Sequence, residues 1–446
     1  MGKNKTKTVI YGAGVGGELV LEELGFEDVL CFIDDNSELH SFNGLSVYTL
    51  ENFFLTQFAS MEFEVLVAIP SLSNSNKYLK IFSTFQYKGI KVRCIVQNNR
   101  LNTLLPLTYQ INDELLDEIL GRQPNTILKR EDLDKLNNKV VMLIGAGGSI
   151  GQTLSLLLCS APIKKLICVD SSEENIYSLE NKTSKYKPEL VLGDLRDDFF
   201  IDYLFDCYQP EIVINAAAYK HVNLLEKREV AAFSNNIRAF VSLANKAKGV
   251  GVKKFIQIST DKAADPSTLM GKSKLFAEKY LGAINDETFS VKIVRFGNVL
   301  GSSGSVVPAF IDQLTRYNKI FVTDPDVERY FMLISEAVQL VLRITNLSTD
   351  GIYILKMGKP KKIIDVAIKI IRYSGLENVT IEFTGLKPGE KKSEQLVATN
   401  EKLNDVDADF YFTDFNKEFN VQNVVDDLNL VQANSVDISK FISKYT

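Results

Sequence analysis

Lys139-Val140-Val141-Met142-Leu143-Ile144-Gly145-Ala146-Gly147-Gly148-Ser149-Ile150-Gly151 is the stretch whose reading decides the fold. Its first half, Lys139 to Ile144, is a short apolar run of the kind that forms a buried parallel strand. Its second half sets Gly145, Gly148 and Gly151 at intervals of three, with Ser149 and Ile150 between the last two. Glycines so spaced let the backbone approach a pyrophosphate closely, and the N-terminus of the helix that follows favours the pyrophosphate charge. The next apolar run, Lys165 to Val169, ends at Asp170. A carboxylate there accepts hydrogen bonds from both adenosine ribose hydroxyls and repels a 2′-phosphate, so the pattern predicts NAD rather than NADP.

The same alternation of short strands and turns continues outward. Leu190 to Leu192 leads to Gly193-Asp194-Leu195, and Glu211 to Ile214 leads to Asn215-Ala216-Ala217-Ala218-Tyr219-Lys220-His221. Small side chains at Ala216, Ala217 and Ala218 leave room for a cofactor backbone, and Lys220 beyond them is placed to face a substrate diphosphate. Lys254 to Ile258 is another buried strand, after which comes Ser259-Thr260-Asp261-Lys262. In open α/β sheets ligands bind in the crevice outside the carboxyl ends of the strands, which is where Asp261 and Lys262 fall. Met270 to Tyr280 reads as an amphipathic helix that puts Met270 and Lys274 one turn apart on one face. A carboxyl and two lysines therefore converge on one crevice.

The chain opens on a second version of this pattern. Thr8 to Tyr11 runs into Gly12-Ala13-Gly14-Val15-Gly16-Gly17, then a helix from Glu18 to Leu24 and a strand from Val29 to Ile33 ending in Asp34-Asp35. Further strand-like runs, Glu64 to Ile69 and Lys91 to Val96, complete a small Rossmann-like domain. The expected organisation is an N-terminal domain over residues 1–100, a polar connector over 101–138, a catalytic domain with a smaller substrate-binding portion over 139–400, and a tail over 401–446. The fold class is α/β, with two Rossmann-like, doubly wound parallel-sheet domains.

Composition excludes several functions. At 446 residues, 45% hydrophobic and 24% charged, the chain is an ordinary globular sequence with more than one core. A net charge of −5 provides no footprint for nucleic acid. No apolar run is long enough to span a bilayer, and the start leads straight into a strand, so a cytoplasmic location is expected. Cys31, Cys94, Cys159, Cys168 and Cys207 contain no CxxC and read as reduced thiols, three of them within apolar strands. With only His40 and His221 as histidines, a His-rich metal site is not expected.

Gly145 to Gly151, Ser259 to Lys274 and Arg295-Phe296-Gly297-Asn298-Val299-Leu300-Gly301 together closely resemble the CapD-like nucleotide-sugar 4,6-dehydratases of the extended short-chain dehydrogenase/reductase superfamily. The superfamily usually has Tyr-x-x-x-Lys where this chain has Met270-x-x-x-Lys274. The methionine is similar to the subgroup that dehydrates UDP-N-acetylglucosamine with retention at C5. The resemblance implies Thr260, Asp261, Lys262, Met270 and Lys274 as the catalytic set, with Lys262 as base at C5, Asp261 as acid toward the C6 hydroxyl, and Lys274 on the nicotinamide ribose. It implies Asp194 and Leu195 at the adenine and Asn298 at the substrate. Arg329 suits a nucleotide phosphate by its guanidinium geometry. Glu390 is expected at the uridine ribose hydroxyls. Lys387 stands where the family motif usually carries arginine, which keeps the charge without the bidentate fork. The implied protein is an NAD-dependent homo-oligomer acting on a UDP-sugar.

The acceptor of the C4 hydroxyl proton stays open between Thr260, a water and Asp261. An inverting dehydratase, a 4-epimerase and a non-catalytic sugar-nucleotide sensor are the competing readings. The first domain resembles the N-terminal nucleotide-fold domain of longer CapD-like proteins, in which membrane helices often come first, and is also similar to the sugar-nucleotide-binding domain of some acetyltransferases. Assembly, regulation and ligand binding are its open roles.

Overall fold

The structure is a computed structural model that describes residues 7–61, 63–68, 81, 84–85, 90, 92–94, 113–125, 127–374, 379–399, 401–405, 407–415, 419–432 and 437–446. The chain divides into two compact units. The first is Met1–Leu115 with Ile311–Ile320 and Ile368–Ile381, and the second is Leu116–Phe310, Phe321–Ala367 and Glu382–Thr446. Among the described residues no helix is long and apolar enough to cross a membrane.

The first unit holds a six-stranded sheet built on Lys7–Tyr11, which pairs in parallel with Val29–Ile33 on one side and Phe63–Val67 on the other. These central strands are buried on both faces, and their residues are apolar apart from Lys7, Thr8 and Glu64. Val92–Cys94 closes one edge. The expected strand ends at Ile69, Lys91, Ile95 and Val96 lie outside the described residues, as does the 101–112 part of the connector. At the glycine turn, Asp34 accepts a hydrogen bond from the Ala13 amide at 2.8 Å and Asp35 accepts one from the Tyr11 hydroxyl at 2.8 Å.

The second unit is organised by a nine-stranded sheet. In chain order its parallel strands are Val140–Ile144, Lys165–Asp170, Glu189–Leu192, Ile212–Asn215, Lys254–Thr260, Ser290–Phe296 and Gly351–Leu355. The third, second and first of these lie side by side, and the fourth to the seventh continue from the other side of the first. The order therefore reverses between Val140–Ile144 and Ile212–Asn215, which pair in parallel there. A crevice opens at such a reversal because the two connections leave toward opposite faces of the sheet.

One face of this sheet is covered by a cluster containing Leu154 and Leu158 of the Ser149–Cys159 helix and Ala337, Leu340, Val341 and Ile344 of the Ile334–Thr345 helix. The latter helix lies within the 139–400 span expected to include a smaller substrate-binding portion, and it packs on the sheet face. The opposite face carries Phe240, Leu243 and Ala244 of the Ala239–Gly249 helix and Phe276, Tyr280 and Leu281 of the Leu269–Ile284 helix.

Residues beyond 400, set apart as a tail in the sequence reading, are built into this second unit. Phe410–Thr413 pairs antiparallel with Gly351–Leu355, and Asn404–Asp405 pairs with it in turn to finish the sheet. The helices Val421–Gln432 and Ile438–Tyr445 then lie against Leu269–Ile284. Phe276 meets Phe441 at 5.7 Å and Tyr445 at 6.3 Å between ring centroids, and Tyr280 meets Phe419 at 6.4 Å. Burying a side chain such as Phe441 contributes about 1.5–3 kcal/mol. The end of the connector is likewise fixed. Arg122 makes a bidentate pair with the fully buried Glu336 at 2.6 and 3.2 Å, and its Nε donates to the Met357 carbonyl at 3.1 Å.

Candidate active site

The strand Lys254–Thr260 ends in a short 3-10 turn, Asp261–Ala263, because the Thr260 hydroxyl turns the chain: it accepts from the Lys262 amide at 3.4 Å and donates to Asp261 Oδ1 at 2.8 Å. Lys262 Nζ donates to Asp261 Oδ1 at 2.9 Å and to Asn298 Oδ1 at 3.2 Å, and lies 4.0 Å from Glu394 Oε1. The Asp261 side chain is wholly buried, and its Oδ2 has no hydrogen-bond partner among the described residues. Oδ2 is thus the carboxylate atom whose lone pairs are left unengaged among the described residues.

Behind this turn runs the helix Leu269–Ile284, capped by Thr268, whose hydroxyl accepts from the Gly271 amide at 3.1 Å. Gly271 allows the helix its close approach, since a Cβ there would sit 2.4 Å from the Lys262 carbonyl oxygen. Met270 is buried in a small apolar cluster with Leu225 and Ala232. One turn on, Lys274 Nζ donates to the Ile258 carbonyl at 2.9 Å. Burial pushes its ammonium down to about 8, against the opposing pull of Glu278.

Sequence reasoning missed the layer beneath. Glu278 accepts from the Ser259 hydroxyl at 2.5 Å and from both Nε and Nη2 of Arg295, the latter at 2.6 Å. Glu401, from beyond the expected domain boundary, takes two more bonds from the same guanidinium at 2.5 and 2.6 Å. Arg295 is fully buried. Only the placement of Glu278 four residues after Lys274 on one helix face carried a signal. Glu394 and Glu401 carried none.

At the sheet reversal, the glycine turn is packed on the segment that bears the small residues. A Cβ on Gly145 would lie 2.7 Å from the Ala217 amide nitrogen, and one on Gly151 would lie 2.0 Å from the Gly145 carbonyl oxygen. A Cβ on Gly148, by contrast, would meet nothing closer than 3.6 Å, so the turn is open in front of the helix that starts at Ser149 and Ile150. Ala216 is held by its amide to the Ile144 carbonyl at 2.9 Å, and Ala218 follows in the same loop. Asp170 stands beside the turn and accepts from the Gly147 amide at 2.8 Å, the Ser172 amide at 3.0 Å and Asn175 Nδ2 at 3.3 Å. Asp194 is engaged by Arg196, whose Nη2 lies 2.5 Å from Oδ2, and the hydrogen bonds from Arg196 hold its carboxyl below the usual range. Leu195 next to it packs on the sheet's core.

The expected substrate residues divide into two groups. Asn298 reaches Lys262, as above, and Lys220 Nζ donates to the Ser303 carbonyl at 2.7 Å. Arg329 instead spends its guanidinium on the carbonyls of Glu328, Lys391 and Lys392 at 2.7, 2.9 and 3.1 Å, which fixes the loop that carries Glu390. Glu390 accepts from the Thr323 hydroxyl at 2.9 Å and the Lys387 amide at 3.1 Å, while the Lys387 side chain is exposed. This loop is tied to the Asp261 turn region, since Lys391 Nζ donates to Asp265 Oδ2 at 2.6 Å and Ser267 Oγ donates to the Gly389 carbonyl at 2.7 Å.

A doubly wound sheet with a glycine turn at its reversal, and a lysine-bearing helix behind the Thr-Asp-Lys turn, is the framework of the extended short-chain dehydrogenase/reductases. Within that class the chain belongs to the polysaccharide biosynthesis protein family, whose profile matches residues 141–415. It is 34% identical over 415 residues to the probable polysaccharide biosynthesis protein EpsC of Bacillus subtilis, and 33% identical over 425 residues to the capsular polysaccharide biosynthesis protein CapD of Staphylococcus aureus. Each alignment covers 89% of this chain and 69% of the relative. Among solved structures, Pen from Bacillus thuringiensis matches with a TM-score of 0.60 and 28% identity, over 63% of this chain and 91% of that one.

Proposed function

We propose that the protein removes water from a UDP-sugar across C5 and C6, with UDP-N-acetylglucosamine as substrate, bound NAD as redox partner and C5 configuration retained. The observation that carries this reading is the Thr260, Asp261, Lys262 and Asn298 cluster at the mouth of the central strand, with a buried carboxylate oxygen left unpartnered. Membership of a polysaccharide biosynthesis family supports a nucleotide-sugar role.

NAD fits the residues present. The open front of the turn at Gly148 and the helix starting at Ser149 suit a pyrophosphate, Gly145 and Gly151 hold the packing behind it, and Ala216 to Ala218 form the facing wall. Asp170 retains acceptor capacity for ribose hydroxyls, since a carboxylate has about four lone-pair sites. Asp194 and Leu195 are assigned to the adenine and Lys274 to the nicotinamide ribose. When bound, NAD supplies the oxidation at C4 that acidifies the C5 proton, and the matching reduction at C6.

The chain's own residues handle the protons. Lys262, as the neutral amine, takes the C5 proton while Asp261, 2.9 Å away and in the acid form, protonates the departing C6 hydroxyl. The C5–H and C6–O bonds break and water leaves, and the Lys262 ammonium then returns its proton to C5 as C6 is reduced. Met270 has no transferable proton. The C4 hydroxyl proton is assigned to the Thr260–Asp261 pair, whose 2.8 Å hydrogen bond ends in a carboxylate. Asn298 orients the Lys262 amine. Lys220 faces the diphosphate, and Arg329, Lys387 and Glu390 shape the uridine end.

Incubation with UDP-N-acetylglucosamine and mass spectrometry tests the reading: the expected product is lighter by one water. Proton NMR in heavy water reports the C5 configuration, with inversion pointing to the other dehydratase subgroup. An isomer of unchanged mass identifies a 4-epimerase, and ligand binding without product identifies a sensor. Lys262→Ala is expected to abolish water loss while NAD uptake persists; surviving turnover removes Lys262 as base.

A further inference from the structure

The loop Gly301 to Ser305 carries two glycines in the left-handed region, Gly301 at φ +71° and Gly304 at φ +68°. They bend the chain sharply around Ser302 and Ser303, and the bend is closed internally by the Ser305 amide on the Ser302 carbonyl at 3.0 Å. The tip, Ser303, is exposed, yet both of its backbone polar groups are held by side chains. Its amide donates to Ser149 Oγ at 3.0 Å, and its carbonyl accepts from Lys220 Nζ at 2.7 Å.

Those anchors stand on opposite walls of the sheet reversal. Ser149 opens the helix after the glycine turn, and Lys220 follows Ala216 to Ala218. One residue of the loop therefore bridges the two sides of the crevice across which a dinucleotide's pyrophosphate would lie. The loop also rests on the His221 ring, since a Cβ on Gly304 would be 2.5 Å from His221 Cε1.

We infer that Gly301 to Ser305 is a strap closed over the diphosphate of bound NAD, and that Ser149 and Lys220 are positioning residues that latch it. The inference rests on the NAD site proposed above. An internal oxidation and reduction returns the cofactor to its starting state at each turnover, so nothing in the cycle calls for its release. Both latches are single side-chain hydrogen bonds, and the strap opens when they break without disturbing the sheet.

The test is the rate at which preloaded NAD leaves the full-length protein, with no sugar nucleotide present, after rapid transfer into NAD-free buffer. Lys220→Met removes the charged latch and is expected to speed release about 10–100-fold, and Ser149→Ala, which removes the neutral one, about 2–10-fold. Gly304→Ala touches neither latch but places a side chain at φ +68° against His221, so it is expected to lift the strap and speed release about tenfold. Gly301→Ala repeats that arm should the Gly304 variant not fold, as judged by its thermal transition.

A lysine serving only the sugar diphosphate leaves the release rate unchanged on substitution, and that result overturns the strap. So does faster release in the Ser149 and Lys220 variants with none in the glycine variant, which assigns the effect to direct contact. Wild-type protein that takes up no NAD overturns the cofactor site itself and the strap with it, whereas equal retention by all variants overturns the strap alone.

Discussion

Lys274→Met isolates what a buried cation costs this fold. An ordinary lysine titrates at 10.5, and burial beneath the Ile258 carbonyl pushes Lys274 down to about 8, with Glu278 opposing. That interval corresponds to about 3 kcal/mol. The sign follows from proton counting. Between about pH 8 and 10.5 the unfolded chain keeps the lysine proton that the folded chain has released, so stability rises with pH across that window. Below about pH 8 both states are charged and the whole penalty is present. Near pH 7 the penalty is about 3 kcal/mol and near pH 9.5 about 1.4 kcal/mol. The methionine variant lacks this term at every pH, whatever it gains or loses in packing. The stability gap between the two NAD-free proteins, from urea unfolding, is therefore expected to move by about 2 kcal/mol in the wild type's favour from pH 7 to 9.5. A gap that stays constant refutes the burial of Lys274.

Three further outcomes follow from the same interior. Glu278→Ala leaves the fully buried Arg295 with one carboxylate partner and is expected to cost about 3–5 kcal/mol, whereas Glu401→Ala is expected to cost about 1.5–3 kcal/mol because Glu278 remains; urea unfolding of both variants checks the order, which a reversal would contradict. Phe441→Ala removes the ring packed on Phe233, Phe276 and Tyr445, and is expected to cost about 3–5 kcal/mol in the same measurement. Met270→Leu preserves the packing on Leu225 and Ala232 at a cost below about 1.5 kcal/mol, and water loss from the UDP-sugar is expected to continue within about tenfold of wild type; a far larger loss in steady-state rate places the sulfur in the chemistry.

The legible parts of the fold are those specified locally. Val140–Ile144 and Lys254–Thr260 are buried on both faces, so their apolar runs stand out without any knowledge of neighbours. Glycine turns are legible for a related reason: a missing Cβ at Gly145 or Gly151 is a steric requirement readable from spacing. The final segment lacked such signals. Phe410–Thr413 is a short strand whose place is set by Gly351–Leu355, and the aromatic residues after it make sense only against Phe276 and Tyr280, which are far away in sequence. Its acidic residues diluted the pattern, although Glu401 among them binds a buried arginine.

The site divides along the same line, and the division says how it is built. Asp261 and Lys262 were legible because the end of a buried strand points its next residues into the crevice. What the spacing could not reveal is that this turn is held from three directions: Ser259 by Glu278, Asn298 through the strand anchored at Arg295, and Asp265 by Lys391. Each of these contacts pairs residues distant in the chain, and each uses a charged group inside or at the edge of the protein, where an unpaired charge is costly. Asp261 and Lys262, to which the proposed mechanism gives the proton transfers, are two adjacent residues on a short turn that would otherwise be free to reorient. The buried charges around it trade intrinsic stability for a fixed geometry at Lys262, and that is a reason for a polar network to persist where apolar packing alone would make a more stable fold.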